Sequence, residues 1–216
     1  MIPRAFAPLA LTLALAGAVG ASACTPVRIK LQYRVRQPSP EHSGRVVFGT
    51  LTDERRNPRE VAPDVTVAPG TPSVPMTIET MIRQGLAFAG FAVVPEAPLR
   101  IDARLHTAWA QQTFYSVQAN VQLTVSLVEV ASGRTVWTNR FGVVEAMGGA
   151  DARTNHQAAY KKALTRLAGE IADAFAASTF AEAAAAAGGG VTSGAPEQDP
   201  AGEPEHEPAG EPEHEP

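Results

Sequence analysis

The chain reads as an α+β two-layer sandwich, a mostly antiparallel sheet with two helices on one face, in the order β-β-α-β-β-β-α and followed by a disordered C-terminal tail. Three observations predict it. Several segments alternate apolar and polar residues with period two, the mark of half-buried strands. Two others repeat apolar residues at i, i+3 and i+4, the mark of helices with one buried stripe. Composition changes abruptly at both ends, apolar before residue 24 and rich in Gly, Pro and Glu after residue 187.

Residues 27–36 alternate strictly, with Val27, Ile29, Leu31, Tyr33 and Val35 on one side and Arg28, Lys30, Gln32, Arg34 and Arg36 on the other, and form the first strand. Residues 45–51 are a nearly continuous apolar run, as expected nearer a sheet centre. Residues 57–75 carry five prolines and no helical period, so they read as a long irregular loop. From Met76, the spacing of Ile78, Met81, Ile82, Leu86 and Ala89 predicts a helix, and Gly90 stands where a left-handed C-cap belongs.

Alternation then returns. Leu99, Ile101, Ala103, Leu105, Thr107 and Trp109 are expected to face inward, as are Val117, Ala119, Val121, Leu123, Val125 and Leu127. Ser132-Gly133 predicts a two-residue hairpin turn leading into the antiparallel strand 135–144. Thr154 and Gln157 are spaced as a capping box. Behind them Tyr160, Ala163, Leu164, Leu167, Ile171, Ala174 and Phe175 fall on one face of a long helix. Clean alternation on the strands leaves one sheet face solvated or covered from outside the domain, while the helices cover the other.

The ends carry the strongest signals. Residues 1–23 begin with Arg4 ahead of an apolar stretch and finish in Ala21-Ser22-Ala23, the layout of an export signal too short to span a bilayer. The next residue is Cys24, the one cysteine of the chain. A single cysteine excludes a disulfide scaffold and any cysteine metal cluster. The tetrapeptide Ala21-Ser22-Ala23-Cys24 resembles the lipobox of bacterial lipoproteins, departing from it at Ala21, where Leu is common. The resemblance implies a triacylated Cys24 holding the chain to a membrane, since several acyl chains anchor durably where one does not. Thr25 in the sorting position implies the outer membrane, with the domain facing the periplasm. The alternative is a secreted chain with an unmodified thiol.

The division is therefore a signal peptide at 1–23, a single periplasmic domain at 24–187 and an acidic tail at 188–216. The net charge of −4 conceals an asymmetry, because the tail holds eight acids and no base while the domain is basic by three charges. That balance excludes a polybasic nucleic-acid binder. The tail repeats Ala-Gly-Glu-Pro-Glu-His-Glu-Pro at 201–208 and 209–216, a composition that supports neither helix nor core. His206 and His214 among carboxylates allow a weak metal-capture reading against a solvated spacer, and no metal site is assigned.

No nucleophile elbow, phosphate loop or zincin helix is present. His42 falls in a loop, His106 on the outward side of a strand and His156 in a helix cap, so no catalytic residue or cofactor beyond the covalent lipid is expected. Asp53, Arg55 and Arg56, at the end of the second strand, read either as a displayed partner-binding group or as an ion pair that pins the long loop. Arg100 and Arg104 could gather with Arg28, Lys30, Arg34, Arg36 and His106 into a basic sheet face for anionic headgroups or an acidic partner. The alternative is ordinary solvated alternation.

The body is similar to the YajG-type family of uncharacterised bacterial lipoproteins. The matching features are Val46-Val47-Phe48-Gly49 leading to Asp53 and Arg55, the helix end Gln84-Gly85-Leu86-Ala87-Phe88-Ala89-Gly90-Phe91, the strand 99–105 and the helix 158–175. The resemblance covers roughly residues 24–180 and brings no catalytic constellation. It implies a small, lipid-anchored envelope domain that is not an enzyme and binds another envelope component. The second reading is an auxiliary lipoprotein subunit of a transport or lipopolysaccharide-assembly complex.

Overall fold

The computed structural model describes residues 27–34, 42–58, 60–149, 152–188 and 192–193. The leader, Cys24, Val35, Arg36 and the repeats with His206 and His214 lie outside the described residues. Among the described residues the strands are β1 (Val27–Ile29), β2 (His42–Asp53), β3 (Glu60–Ala62), β4 (Val65–Val67), β5 (Phe91–Val93), β6 (Leu99–Gln112), β7 (Ser116–Glu129), β8 (Thr135–Gly148) and β9 (Thr192–Ser193). The helices are α1 (Val74–Phe88), α2 (Ala152–Ala176) and α3 (Ser178–Ala186).

The α+β sandwich is as predicted. The main sheet runs β5-β2-β6-β7-β8, with β9 on the start of β2. The long strands β6, β7 and β8 form an antiparallel meander, whereas β2 pairs parallel with both β5 and β6. Val117, Ala119, Val121, Leu123, Val125 and Leu127 of β7 are all buried on the helix side. Each of the Val and Leu side chains contributes roughly 1.5–3 kcal/mol of burial free energy. From α1, Ile78, Met81, Ile82 and Leu86 enter the same core, as do Tyr160, Leu164, Leu167, Ile171 and Phe175 of α2. Ser73 caps α1, its Oγ accepting from the Met76 N–H at 3.4 Å, and Gly90 follows the helix at φ 93°. No helix among the described residues is long and apolar enough to cross a membrane.

Gly85 lets the two long helices touch. A Cβ there would stand 2.9 Å from Ile171 Cγ2 and 3.2 Å from Phe175 Cδ2. Gly49 serves the sheet in the same way, because a side chain on it would meet the Asp102 carboxylate and the Arg100 stem.

The structure corrects several expectations. The alternation of residues 27–34 is real, with Ile29 and Leu31 buried and Arg28, Lys30, Gln32 and Arg34 exposed. Only Val27–Ile29 is strand, however, and it pairs with β4 in a separate sheet of order β1-β4-β3. Beyond it the chain is extended against the helices, where Tyr33 Oη donates to Gln84 Oε1 at 2.7 Å and the Arg34 N–H to Thr165 Oγ1 at 3.2 Å. Period two records alternate burial and says nothing about which neighbour supplies hydrogen bonds. The expected loop 57–75 contains β3 and β4, strands of three residues each. They are too short to show a period, and Asp64 turns between them at φ 57°.

In β6 the inward phase changes. Leu99, Ile101, Ala103 and Leu105 are buried, but an extra residue between Leu105 and Thr107 puts Ala108 and Ala110 inward and leaves Thr107 and Trp109 on the other face. A bulge of this kind opposes two residues to one and flips everything after it. The β7–β8 connection spans residues 130–134 rather than two residues, with Gly133 at φ 70° and its N–H donating to the Glu129 carbonyl at 2.8 Å. Helix α2 already begins at Ala152, so Thr154 lies inside the first turn rather than at the cap. The alanine run after Phe175 is a third helix, α3, joined to α2 through an extended Ala177. It is held by Phe180, whose ring meets Phe91, Trp137 and Phe175 at centroid distances of 5.0, 5.0 and 4.9 Å.

Candidate functional site

The loop leaving β2 is organised by Asp53 and Arg55. Arg55 Nε and Nη2 donate to the two Asp53 carboxylate oxygens at 2.8 Å each, and Nη2 also donates to the Pro58 carbonyl at 2.8 Å. The Arg55 side chain is 4% exposed. Those hydrogen bonds hold the Asp53 carboxyl below the usual carboxylate range, against the opposing effect of partial burial. Of the two alternatives the sequence leaves open, the geometry is that of an ion pair pinning the loop. Next to it, Glu54 Oε2 lies 2.7 Å from His106 Nδ1, and His106 Nε2 lies 2.9 Å from Thr124 Oγ1. His106 occupies the bulge of β6, and this extra residue brings its ring between the β2 loop and β7.

These residues border an open cleft of about 540 Å³, lined by Arg55, Arg56, Asn57, Glu60, His106, Thr107, Ala108 and Trp109. Arg56 is exposed and has no ion-pair partner among the described residues. The hydroxyl, imidazole and carboxylate of Thr124, His106 and Glu54 stand in the order of an acyl-transfer triad. An oxyanion site would need backbone N–H groups free to point at a reacting carbonyl. Thr124 sits instead within β7, paired with Arg104 of β6 on one side and Arg140 of β8 on the other. The arrangement suits binding of a polar or anionic group by Arg56 and His106, with the Trp109 ring as an apolar wall.

Around the cleft, the sheet face away from the helices is polar. It carries Arg100, Asp102, Arg104 and His106 from β6, Gln118, Asn120, Gln122, Thr124 and Ser126 from β7, and Thr138 and Arg140 from β8. Arg100 is neutralised locally, its Nη2 2.9 Å from Asp102 Oδ2, while Asp102 Oδ1 accepts from the Thr50 N–H at 3.1 Å. Arg104 is exposed and has no ion-pair partner among the described residues. The anticipated basic face is therefore divided: Arg28, Lys30 and Arg34 belong to the segment of β1 in the other sheet, and Arg36 lies outside the described residues. The two other histidines also differ from expectation. His42 is in β2, with Nε2 3.0 Å from the Ala176 carbonyl, and His156 is buried within α2. No group of three or more His, Cys, Asp or Glu placed to hold a metal occurs among the described residues.

Sequence reasoning missed Trp109 and Glu54. The bulge that turns Trp109 outward has no marker in the residues around it, and Glu54 acquires its role through a contact across 52 positions.

The architecture defines a two-layer α+β domain with one polar sheet face that no helix among the described residues covers. It shares its fold with protein XCC0632 from Xanthomonas campestris, of the family DUF330, at 16% identity and a TM-score of 0.56, covering 72% of this chain and 97% of that one. Weaker likenesses include lipoprotein GNA1162 from Neisseria meningitidis (11% identity, TM-score 0.35, 60% and 99% covered) and a minor lipoprotein from Acinetobacter baumannii (11%, 0.38, 62% and 92%). No protein-family model matches the chain, and no curated protein matches it.

Proposed function

We propose that the chain is a non-enzymatic lipoprotein of the bacterial envelope, anchored through an acylated Cys24 to the outer membrane and facing the periplasm, whose domain binds another envelope protein. The observation that carries the binding reading is the polar sheet face that no helix among the described residues covers. A lipid-handling domain needs an enlarged apolar groove, whereas this face presents amides, hydroxyls and the unpaired Arg104, and adjoins the cleft with Arg56. A polar surface on which Arg56, Arg104 and Arg140 carry no ion pair among the described residues suits an acidic patch on a protein, which it would select by charge more than by buried area. The lipobox-like Ala21-Ser22-Ala23-Cys24 and the likeness of the body to YajG-type lipoproteins support the anchor. Thr124 is enclosed by β6 and β8 on its two sides, which supports binding over turnover.

The test combines two measurements on protein made in its native membrane. Intact-mass analysis is expected to show a triacylated Cys24. Chemical cross-linking followed by solubilisation in mild detergent is expected to recover one stoichiometric protein partner, with recovery reduced at least about tenfold by Arg56→Glu and Arg104→Glu together. A charge reversal on an exposed residue leaves folding stability within about 0.5 kcal/mol, so a lost partner at unchanged Tm reports the surface. Equal recovery from the doubly substituted chain ends the proposal for this face.

A further inference from the structure

The largest exposed apolar side chains lie at one place. Phe114 and Tyr115 form the tip of the β6–β7 hairpin, with relative exposures of 101% and 88%. The tip is built rather than loose: the Thr113 N–H donates to the Ser116 carbonyl at 2.7 Å, the Ser116 N–H to Thr113 Oγ1 at 3.2 Å, and the Thr113 hydroxyl to the Ser116 carbonyl at 3.0 Å. Two large rings held fully in water lose burial free energy that almost any other placement would supply.

The hairpin that carries the tip is itself uncharged. No Asp, Glu, Lys, Arg or His occurs between His106 and Glu129, so both arms of the hairpin are free of charge to its end. The strand beside the tip ends in Ala146, Met147 and Gly148, with Gly148 paired to Ser116. Glu145, the next residue back, is held toward the helices by Lys162 Nζ at 2.8 Å and Arg166 Nη1 at 3.2 Å. A hairpin of this kind can enter a bilayer interface without desolvating an ion of its own, the dominant cost of such contact.

The tip also lies at the end of the domain where the anchor begins. From Gly148 the chain enters α2, whose Tyr160 hydroxyl reaches the Val61 carbonyl at 2.6 Å. Val61 lies in β3, whose Ala62 pairs with Val65, which pairs in turn with Val27. From Val27 the chain runs away from this end, toward Gln84 and Thr165. Residues before Val27 therefore start from the tip's end of the domain, and Cys24 precedes Val27 by three residues, a reach of at most about 10 Å.

We infer that Phe114 and Tyr115 form a second membrane contact, inserting into the headgroup and upper acyl region of a phospholipid bilayer and fixing the orientation of the domain on it. Aromatic rings favour that interface. Two side chains are far short of the roughly 1,000 Å² that a specific protein interface buries, which argues for lipid over a protein occupant or a second copy of the chain. The inference rests on the anchored reading above. Held tip-down, the domain directs the strand ends at Leu99 and Glu129 away from the membrane and leaves the polar sheet face free at its side.

The test uses the full chain with Phe114→Trp and vesicles of phosphatidylethanolamine and phosphatidylglycerol, with the parent chain subtracting the signals of Trp109 and Trp137. The expected result is a blue shift of the added emission and quenching by lipids brominated in the upper acyl chain. In the unacylated chain carrying Cys24→Ser, Phe114→Ser with Tyr115→Ser is expected to lower vesicle partitioning at least about tenfold. Added emission unchanged by vesicles to which an acylated chain is bound overturns the inference while leaving the anchor standing. Quenching in a chain whose mass shows no acyl group upholds the inference and removes the anchor. A blue shift that grows with protein concentration without lipid assigns the tip to self-association and overturns the inference.

Discussion

The hydroxyl of Tyr160 donates a 2.6 Å hydrogen bond to the carbonyl of Val61, joining α2 to the small sheet across 99 positions of sequence. Tyr160 is 1% exposed, and burial pushes its hydroxyl pKa up, so it remains a donor over the whole working pH range. Tyr160→Phe keeps the ring and leaves the Val61 carbonyl without that partner. The expected cost is about 1–3 kcal/mol in urea unfolding with an unchanged m-value; a cost below about 0.3 kcal/mol would show that solvent replaces the bond.

Gly85→Val places a branched side chain where Ile171 and Phe175 already stand. Overpacking of this kind costs about 1–3 kcal/mol, more than the few tenths gained from helix propensity. The collision with Ile171 Cγ2 is local, so Ile171→Ala in the same chain should recover part of the loss. Additive losses in a double-mutant cycle would place the strain elsewhere.

Arg55→Ala removes the partner of the Asp53 carboxylate and the donor to the Pro58 carbonyl. Breaking a buried pair costs about 3–5 kcal/mol. Asp53 is 17% exposed and regains some hydration, so roughly 2–4 kcal/mol is expected here. Faster proteolytic cleavage within 54–60 should accompany it. Cleavage unchanged from the parent would show that the loop is held by other contacts.

Acid sensitivity follows from Asp53 and Glu145. Glu145 accepts from Lys162 and Arg166, and those hydrogen bonds, Lys162 first, hold its carboxyl below the ordinary 4.5, as Arg55 holds Asp53 below 3.8. A folded-state pKa below the unfolded value gives stability that is complete above the unfolded pKa and is lost as pH falls through the folded one. Stability should therefore be flat from neutrality to about pH 5 and fall below that. Because Lys162 and Arg166 are more than half exposed, Glu145→Gln should cost only about 0.5–1 kcal/mol at neutral pH and make the acid limb shallower. An acid limb as steep as the parent's would assign the proton uptake to other groups.

How much was legible depended on the range of each interaction. The alternation of β7, the stripe of Ile78, Met81, Ile82 and Leu86 and the stop at Gly90 are local patterns, and burial followed them. The strand 27–36 shows where such reading ends, because the same alternation of Ile29 and Leu31 serves a strand at one end and an unpaired extended segment at the other. The candidate partner-binding residues Asp53, Arg55, Arg56, Arg100 and Arg104 were chosen by type and position. Arg55 and Arg100 proved to be tied by ion pairs that leave Arg56 and Arg104 free.

The sequence by itself determined the two-layer class, the stripe of each long helix, the placing of one cysteine after an apolar N-terminal stretch and the separation of a basic body from an acidic tail. Those properties are periodicities and compositions, set within a few residues of one another. Tertiary structure alone decided that β2 lies parallel to β6, that the bulge at His106 turns Trp109 outward, that Phe180 closes an aromatic cluster with Phe91 and Trp137, and that Tyr160 ties α2 to the small sheet at Val61. Each of these depends on residues tens of positions apart meeting in space. Their free energy belongs to the packed pair and leaves no mark on either segment alone.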